Sequence, residues 1–234
     1  MTSADSAKLA NYAQDLVRRI LDHALDGVGS LPSASDLASN YRHQSYPNDA
    51  ERVQALIRWA GAKNTATGFV TGLGGMLTLP VAIPGSLAAS LAIQACMVGA
   101  IAEIYGHDSK DDRVQTAILL CMIGTAVEGV VKPAGVALGG KAAIEGLKKV
   151  PGKVLIEINK RVGFRLLTKF GEKGVVNLAK LIPLVGGVVG GTFDGVTCYM
   201  VGQAADATFR PISTIGSQRE IRSTMRRIFN RFRD

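Results

Sequence analysis

NTATGFVTGLGGMLTLPVAIPGSLAASLAIQACMVGAIA, residues 64–102, contains no Asp, Glu, Lys or Arg. Thirty-nine consecutive uncharged positions, in a chain of which 20% is charged, must be kept from water by acyl chains or by the protein's own helices. The two halves of the stretch behave differently. In the first, Gly68, Gly72, Gly74, Gly75, Pro80, Pro84 and Gly85 break any long regular helix, through lost donors and backbone entropy. The second, Ser86–Tyr105, has no proline, one interior glycine at Gly99 and a single charge at Glu103. Coiled as a helix, it reaches about 30 Å, the thickness of a bilayer's hydrocarbon core. Gly106 ends it.

Downstream, Ser109 and Asp112 read as a capping box that opens a helix from Asp111 to about Val131, with Pro133 and Gly135 at its end. Its uncharged run, Val114–Val127, is 14 residues long, which fits a buried core helix better than a span. Residues 138–150 and 152–170 read as basic amphipathic helices. In the latter, Val154, Leu155, Ile158, Val162, Leu166 and Leu167 share one stripe. A short helix over 172–181 leads to Pro183, and residues 184–208 form a glycine-studded apolar helix with Asp194 in its middle.

Upstream, residues 5–28 place Leu9, Tyr12, Leu16, Ile20, Leu21 and Leu25 at three-and-four spacing, and Gly27 and Gly29 end that helix. Residues 30–47 are a polar loop with short helical character around 35–41. Asn48 with Glu51 forms a capping box for a helix to about Lys63. No strand run bounded by hairpin signals appears. The expected fold is all-α: a multi-helix bundle with glycine-rich apolar central helices, membrane-inserted or membrane-apposed. It reads as one domain, 1–234, with amphipathic helices to residue 63, a core over 64–209 and a basic tail over 210–234.

The net charge of +8 is lopsided. Residues 1–111 hold 8 Lys/Arg against 10 Asp/Glu, or −2; residues 112–234 hold 19 against 9, or +10. That half calls for an anionic partner, lipid headgroups or nucleic acid. Nucleic acid fits less well, because the cations are not interleaved with stacking aromatics and no RNP, KH or zinc-finger spacing is present. The tail, Ser217–Asp234, sets Ile221, Met225, Ile228, Phe229 and Phe232 against Arg219, Arg222, Arg226 and Arg227. Such a helix suits an anionic membrane surface, each cation contributing about 1 kcal/mol there, or docks on the bundle with its arginines in water.

Gly186, Gly187, Gly190, Gly191 and Gly195 recur at helical spacing and predict close approach of another helix, in lipid or in a core. Gly68–Gly75 is not a phosphate loop, since no Lys-Ser or Lys-Thr follows and no strand precedes. Glu103, Glu128 and Asp194 sit in or beside apolar segments and need partners, for which Arg165 and Lys169, one turn apart, are candidates. Glu103, Arg165, Lys169 and Asp194 therefore form a candidate buried polar cluster, either a headgroup or ion site or a structural ion pair.

The three histidines, His23, His43 and His107, lack ligand spacing, and no HExxH or GxSxG string occurs. His107 reads as a loop or capping residue. Cys96, Cys121 and Cys198 lie in apolar stretches and are expected to be reduced, buried thiols. No catalytic, cofactor or metal set is legible. The first residues lack a basic segment followed by an apolar one, so no signal peptide is expected and a cytoplasmic setting follows.

Two strings carry a family resemblance. GFVTGLGGMLTLPVAIPGSLAASLAIQACMVGAIAEIYGHDSKDDRVQT (68–116), followed by INKRVGFRLLTKFGEKGVVNLAKLIPLVGGVVGGTFDG (158–195), resembles the EcsC protein family over roughly Lys63 to Phe209. Gly72, Gly74, Gly75, Pro80 and Pro84 match its first motif; Gly187, Gly191 and Asp194 match its second. The resemblance implies a bacterial, helical, membrane-related protein, accessory to transport or secretion, and brings no catalytic residues with it. The implied partners are membrane lipid, a membrane protein or a transporter component. The implied location is the cytoplasmic side of the inner membrane, peripheral or integral. Basic flanks at Arg58, Lys63, Lys110 and Arg113 would hold both ends of a 65–105 hairpin in the cytoplasm. The leading expectation is a noncatalytic membrane-associated protein. Its rivals are a soluble bundle that binds a lipid or partner protein through its apolar core or groove, and a lipid-acting enzyme with Asp194 or Glu103 as an acid.

Overall fold

The uncharged segment is wrapped by protein where the chain can be described. The computed structural model describes residues 3–65, 85–124, 127–134, 143–170 and 188–211. The turn residues Gly68, Gly72, Gly74, Gly75, Pro80 and Pro84, the 172–181 helix, Gly187 and the tail with Arg219, Arg222, Arg226 and Arg227 lie outside the described residues. Nine α-helices and one 3-10 turn are present among the described residues: α1 Ser3–Asp26, α2 Ala34–Arg42, α3 Asp49–Thr65, α4 Gly85–Ile104, α5 Asp112–Ile123, α6 Val127–Val131, the turn Lys132–Ala134, α7 Ala143–Lys148, α8 Gly152–Phe170 and α9 Val188–Phe209. No strand occurs among them; Val28 and Leu31 form one isolated bridge around the turn at Gly29.

α4 is the axis. Every residue from Ala88 to Ala102 is buried, so the helix has no solvent face and needs no amphipathic stripe. α1, α2, α3, α5 and α9 all pack against it. The first three carry apolar side chains on the side they turn inward: Ile20, Leu21 and Leu25 on α1, Leu37 on α2, Val53, Leu56 and Ile57 on α3. α8 then closes the outside by packing on α1 and α5, burying Leu155, Ile158, Val162 and Leu166 of its expected stripe. No helix among the described residues is long and apolar enough to cross a membrane.

The helix ends follow local chemistry. Ser33 caps α2 by accepting the Asp36 N–H at 3.0 Å, and Asn48 caps α3 by accepting the Glu51 N–H at 2.9 Å. At the end of α4, Gly106 takes φ +84; its N–H donates to Glu103 O and the His107 N–H donates to Ala102 O, both at 2.9 Å. This paired closure satisfies two carbonyls that the helix leaves open.

The segment after Gly106 departs from the sequence expectation twice. Asp111, not Ser109, caps α5, its Oδ1 accepting from Arg113 N at 2.8 Å and Val114 N at 3.2 Å. Ser109 is buried inside the turn that Asp111 N–H closes on Asp108 O at 3.1 Å, so the helix begins at Asp112 and the residue just before it supplies the cap. Nor is 111–131 one helix. Gly124 takes φ +58, a conformation that ends α5 at Ile123, and the chain resumes as the short α6.

Glycines set the closest approaches. A Cβ on Gly99 would lie 2.9 Å from Ala34 Cβ and 2.5 Å from Leu25 Cδ2, so α4 meets α1 and α2 almost backbone to backbone. On α9, Gly202 faces Ile57, whose nearest carbon would sit 2.7 Å from an added Cβ; on α3, a Cβ added at Gly61 would lie 3.8 Å from the Gly195 carbonyl oxygen. The tight contact described between α3 and α9 is at Gly202 against Ile57; Gly186 and Gly187, and the surroundings of Gly190 and Gly191, lie outside the described residues. Gly99→Ala should cost about 1–3 kcal/mol by overpacking, because Ala34 Cβ cannot rotate away. Gly129→Ala, with nothing within 4 Å of the new methyl, should be neutral or stabilise by up to about 1 kcal/mol through helix propensity. Urea denaturation midpoints of the two variants check this; equal effects would refute tight packing at Gly99.

Candidate functional site

Where α3, α4 and α9 meet, the core contains a charge. Asp206 on α9 is only 5% exposed. An isolated carboxylate there would be costly, and its surroundings are arranged to satisfy it. The Tyr105 hydroxyl, at the end of α4, donates to Asp206 Oδ1. Arg210, one turn further along, reaches back with Nη2 to Oδ2 and with Nε to Oδ1 at 3.2 Å. From α3, Gln54 Nε2 lies 3.4 Å from Asp206 Oδ2, and Gln203 Nε2 donates to Gln54 Oε1 at 2.8 Å. One carboxylate thus ties three helices together.

The electrostatics make this a lock. Burial, and then the neighbouring charge of Asp206 and the bond to it, push the Tyr105 hydroxyl well above its ordinary 10, so it stays a neutral donor. His107 lies beside the network without joining it. Its Nε2 is 3.1 Å from Phe209 O and its ring packs at 5.5 Å on the Phe209 ring, closing the C-terminal end of α9 as a capping residue would. The arrangement offers no activated nucleophile.

The expected polar cluster of Glu103, Arg165, Lys169 and Asp194 falls only partly within the described residues. Glu103 is half-buried at the end of α4; its Oε1 takes the Ser109 N–H and its carbonyl takes Arg42 Nη2. Arg165 is exposed on α8, and Glu128 is exposed on α6. Gly191 falls within α9, while the side chains of Lys169 and Asp194 lie outside the described residues. The buried acid that can be described is Asp206, which does not figure among the residues that spacing singles out. A local signal exists, an Asp and an Arg four apart at the end of an apolar helix. Tyr105 and Gln54, however, are about a hundred residues or more away from it, and only the fold brings them in.

All three cysteines are buried thiols. Cys96 Sγ lies 3.3 Å from Pro32 O, and Cys121 Sγ lies 3.6 Å from Thr208 Oγ1. Burial pushes the Cys96 thiol up to about 12 and the Cys121 thiol up to about 11. No group of His, Cys, Asp and Glu among the described residues could hold a metal ion.

The outer surface differs in character. On α8, Ile156 is 53% exposed and Phe164 36%. Lys153 and Arg165 are exposed on the same helix, and Lys148 and Lys149 just before it. Residues 143–170 hold seven Lys/Arg against two Asp/Glu, or +5. On α9, Val196, Tyr199 and Met200 are exposed at the spacing of one helix face.

Residues 6–211 match the family model described as the EcsC protein family. The match takes in α1, α2 and α3, a wider span than the Lys63–Phe209 stretch that carries the resemblance in the sequence. No curated protein and no solved structure matches the chain.

Asp206→Ala leaves Arg210, Tyr105 and Gln54 without their acceptor and should destabilise the fold by on the order of 3 kcal/mol, measured by urea denaturation. A change below about 0.5 kcal/mol would refute the lock. The thiols give a pH dependence of fixed sign. Burial disfavours the thiolate and holds the folded-state values above the ordinary 9.0, so the stabilising share is full below about pH 9 and is lost as pH rises through about 11 for Cys121 and about 12 for Cys96. The urea midpoint should fall over that window, and a Cys96→Ala/Cys121→Ala pair should flatten the slope.

Proposed function

The chain belongs to the EcsC protein family, and from that premise we propose that it is a noncatalytic helical protein that attaches peripherally to a membrane surface. Its place is the cytoplasmic side of the bacterial inner membrane, where it serves as an accessory to transport or secretion. The observation that carries this reading is the outer face of α8, where Ile156 and Phe164 project from a surface rich in Lys and Arg. Protruding apolar side chains within a basic field suit the boundary between headgroups and acyl chains. Each cation near an anionic surface contributes about 1 kcal/mol, and a fully buried large apolar side chain about 1.5–3 kcal/mol, so several together give reversible attachment. The sequence supplies further cations at Arg219, Arg222, Arg226 and Arg227.

Attachment from one side is favoured over insertion because α4, the most apolar described helix, already has its surface covered by α1, α2, α3, α5 and α9. A second reading has one observation in its favour. The exposed Val196, Tyr199 and Met200 on α9 suit docking of a partner protein, such as a transporter component.

Flotation with vesicles tests the proposal. The protein should float with vesicles rich in phosphatidylglycerol and not with pure phosphatidylcholine. Raising the salt to about 0.5 M shortens the screening length severalfold from its low-salt value and should release the protein. Lys153→Glu with Ile156→Asp should lower binding by about tenfold or more. Neutralising Arg222, Arg226 and Arg227 measures the tail's share. Binding that ignores lipid charge, or that both sets of substitutions leave intact, would refute the proposal.

A further inference from the structure

α9 lacks the charged side that a surface helix ordinarily turns to water. Between Gly195 and Phe209 its one charged residue is Asp206, and that carboxylate is buried. The outward side is apolar. Val196 is 38% exposed and Met200 37%, and Ala204 and Ala207 continue the same face, half-buried, with Tyr199 exposed at its flank. A helix that is apolar all round needs its whole circumference covered. No described helix covers this face.

A cover for it must bring one apolar stripe and a polar back, and must lie within reach. The sequence holds such a segment directly beyond α9. Over 217–234, Ile221, Met225, Ile228, Phe229 and Phe232 fall on one side at helical spacing, and the arginines fall off that stripe. The lengths agree. The stripe runs eleven residues, from 221 to 232, and the open face the same eleven, from 196 to 207, about 17 Å each as helix. The connection agrees as well. α9 ends at Phe209, Pro211 cannot continue it, and the seven residues 210–216 are an ordinary join between antiparallel helices. The uncharged 68–84 segment is a poorer cover, since glycine and proline interrupt it and it has no charged back to leave in water.

We propose that the chain's own C-terminal tail, 217–234, docks antiparallel on the outer face of α9 through its apolar stripe. In that hairpin Ile221 and Met225 come over Ala207 and Ala204, small residues that leave room for them, and Phe232 comes over Val196. The tail's arginines stay outward, available to an anionic surface. The face that a partner protein could use is then occupied until the tail leaves it. The inference stands apart from the membrane reading, because the docked tail needs no lipid.

The test is amide hydrogen exchange of the full chain in solution, without vesicles. Amides over 221–232 should exchange about tenfold or more slower than in unstructured chain. Val196→Asp with Met200→Asp should return them to the unstructured rate while the amides of α4 stay protected. Arg226→Gln with Arg227→Gln, on the outward side, should leave the tail protected. In the reverse direction, Phe229→Asp with Phe232→Asp should speed oxidation of Met200 by hydrogen peroxide about tenfold, read by mass spectrometry. This tail pair leaves α9 unaltered, so it decides the matter even if the α9 pair fails to fold. Protection should not depend on protein concentration, because the short connection holds the tail at an effective concentration in the millimolar range. A tail that exchanges freely, which leaves the face to a partner protein, would overturn the proposal. So would protection that survives Val196→Asp with Met200→Asp, Met200 oxidation that ignores the tail pair, or protection seen only at high concentration, as a second copy would give. Vesicle flotation reads the membrane proposal separately, so failure of one is told apart from failure of the other.

Discussion

α4 has no face that tolerates water. Fifteen consecutive residues, Ala88 to Ala102, are buried on every side, and the only polar side chains among them are Ser90 and Gln94. Gln94 Nε2 is satisfied locally by donating to Ser90 Oγ at 3.2 Å. A helix of that kind can exist only with its whole circumference covered, so five other helices are committed to it before any question of function arises. The amphipathic patterns of α1, α2 and α3 are the complement of this requirement. Each turns its apolar stripe to α4 and leaves its charged residues outside.

Covering a helix so completely demands that its neighbours come close, and the small residues permit it. Gly99 brings α1 and α2 onto α4, and Gly61, Gly195 and Gly202 do the same between α3 and α9. The same small-residue spacing serves helices packed in lipid, because close backbone approach is the physical requirement in both solvents. At Gly99 and Gly202 the contact is buried among the described helices. The specificity of the α3–α4–α9 junction then comes from Asp206, whose buried carboxylate is satisfied only when Tyr105, Arg210 and Gln54 converge on it. Membership of the EcsC family from residue 6 onward agrees with this arrangement, since α4 cannot be covered without the helices that precede it.

Among the described residues the core closes around α4. The described helices place polar chemistry in two settings. Asp206 and its partners are inward and satisfied. The basic face of α8, with Ile156 and Phe164 exposed on it, is outward.

The sequence by itself determined the helical class, the position of most described helices and the central place of residues 88–102 of the uncharged stretch. Those follow from local rules: periodicity, capping at Asn48, a glycine stop at Gly106, and the absence of charge over a run too long to be exposed. It also foretold three buried thiols. Only the tertiary structure decided that α4 is shielded by protein, because acyl chains and helix surfaces present the same apolar demand and a sequence does not distinguish them. It moved the α5 cap from Ser109 to Asp111, because Ser109 lies within the Asp108–Asp111 turn and the helix starts only at Asp112. It also assembled Asp206, Tyr105 and Gln54, residues whose separation along the chain hides them from any spacing rule and whose chemistry exists only where three helices cross.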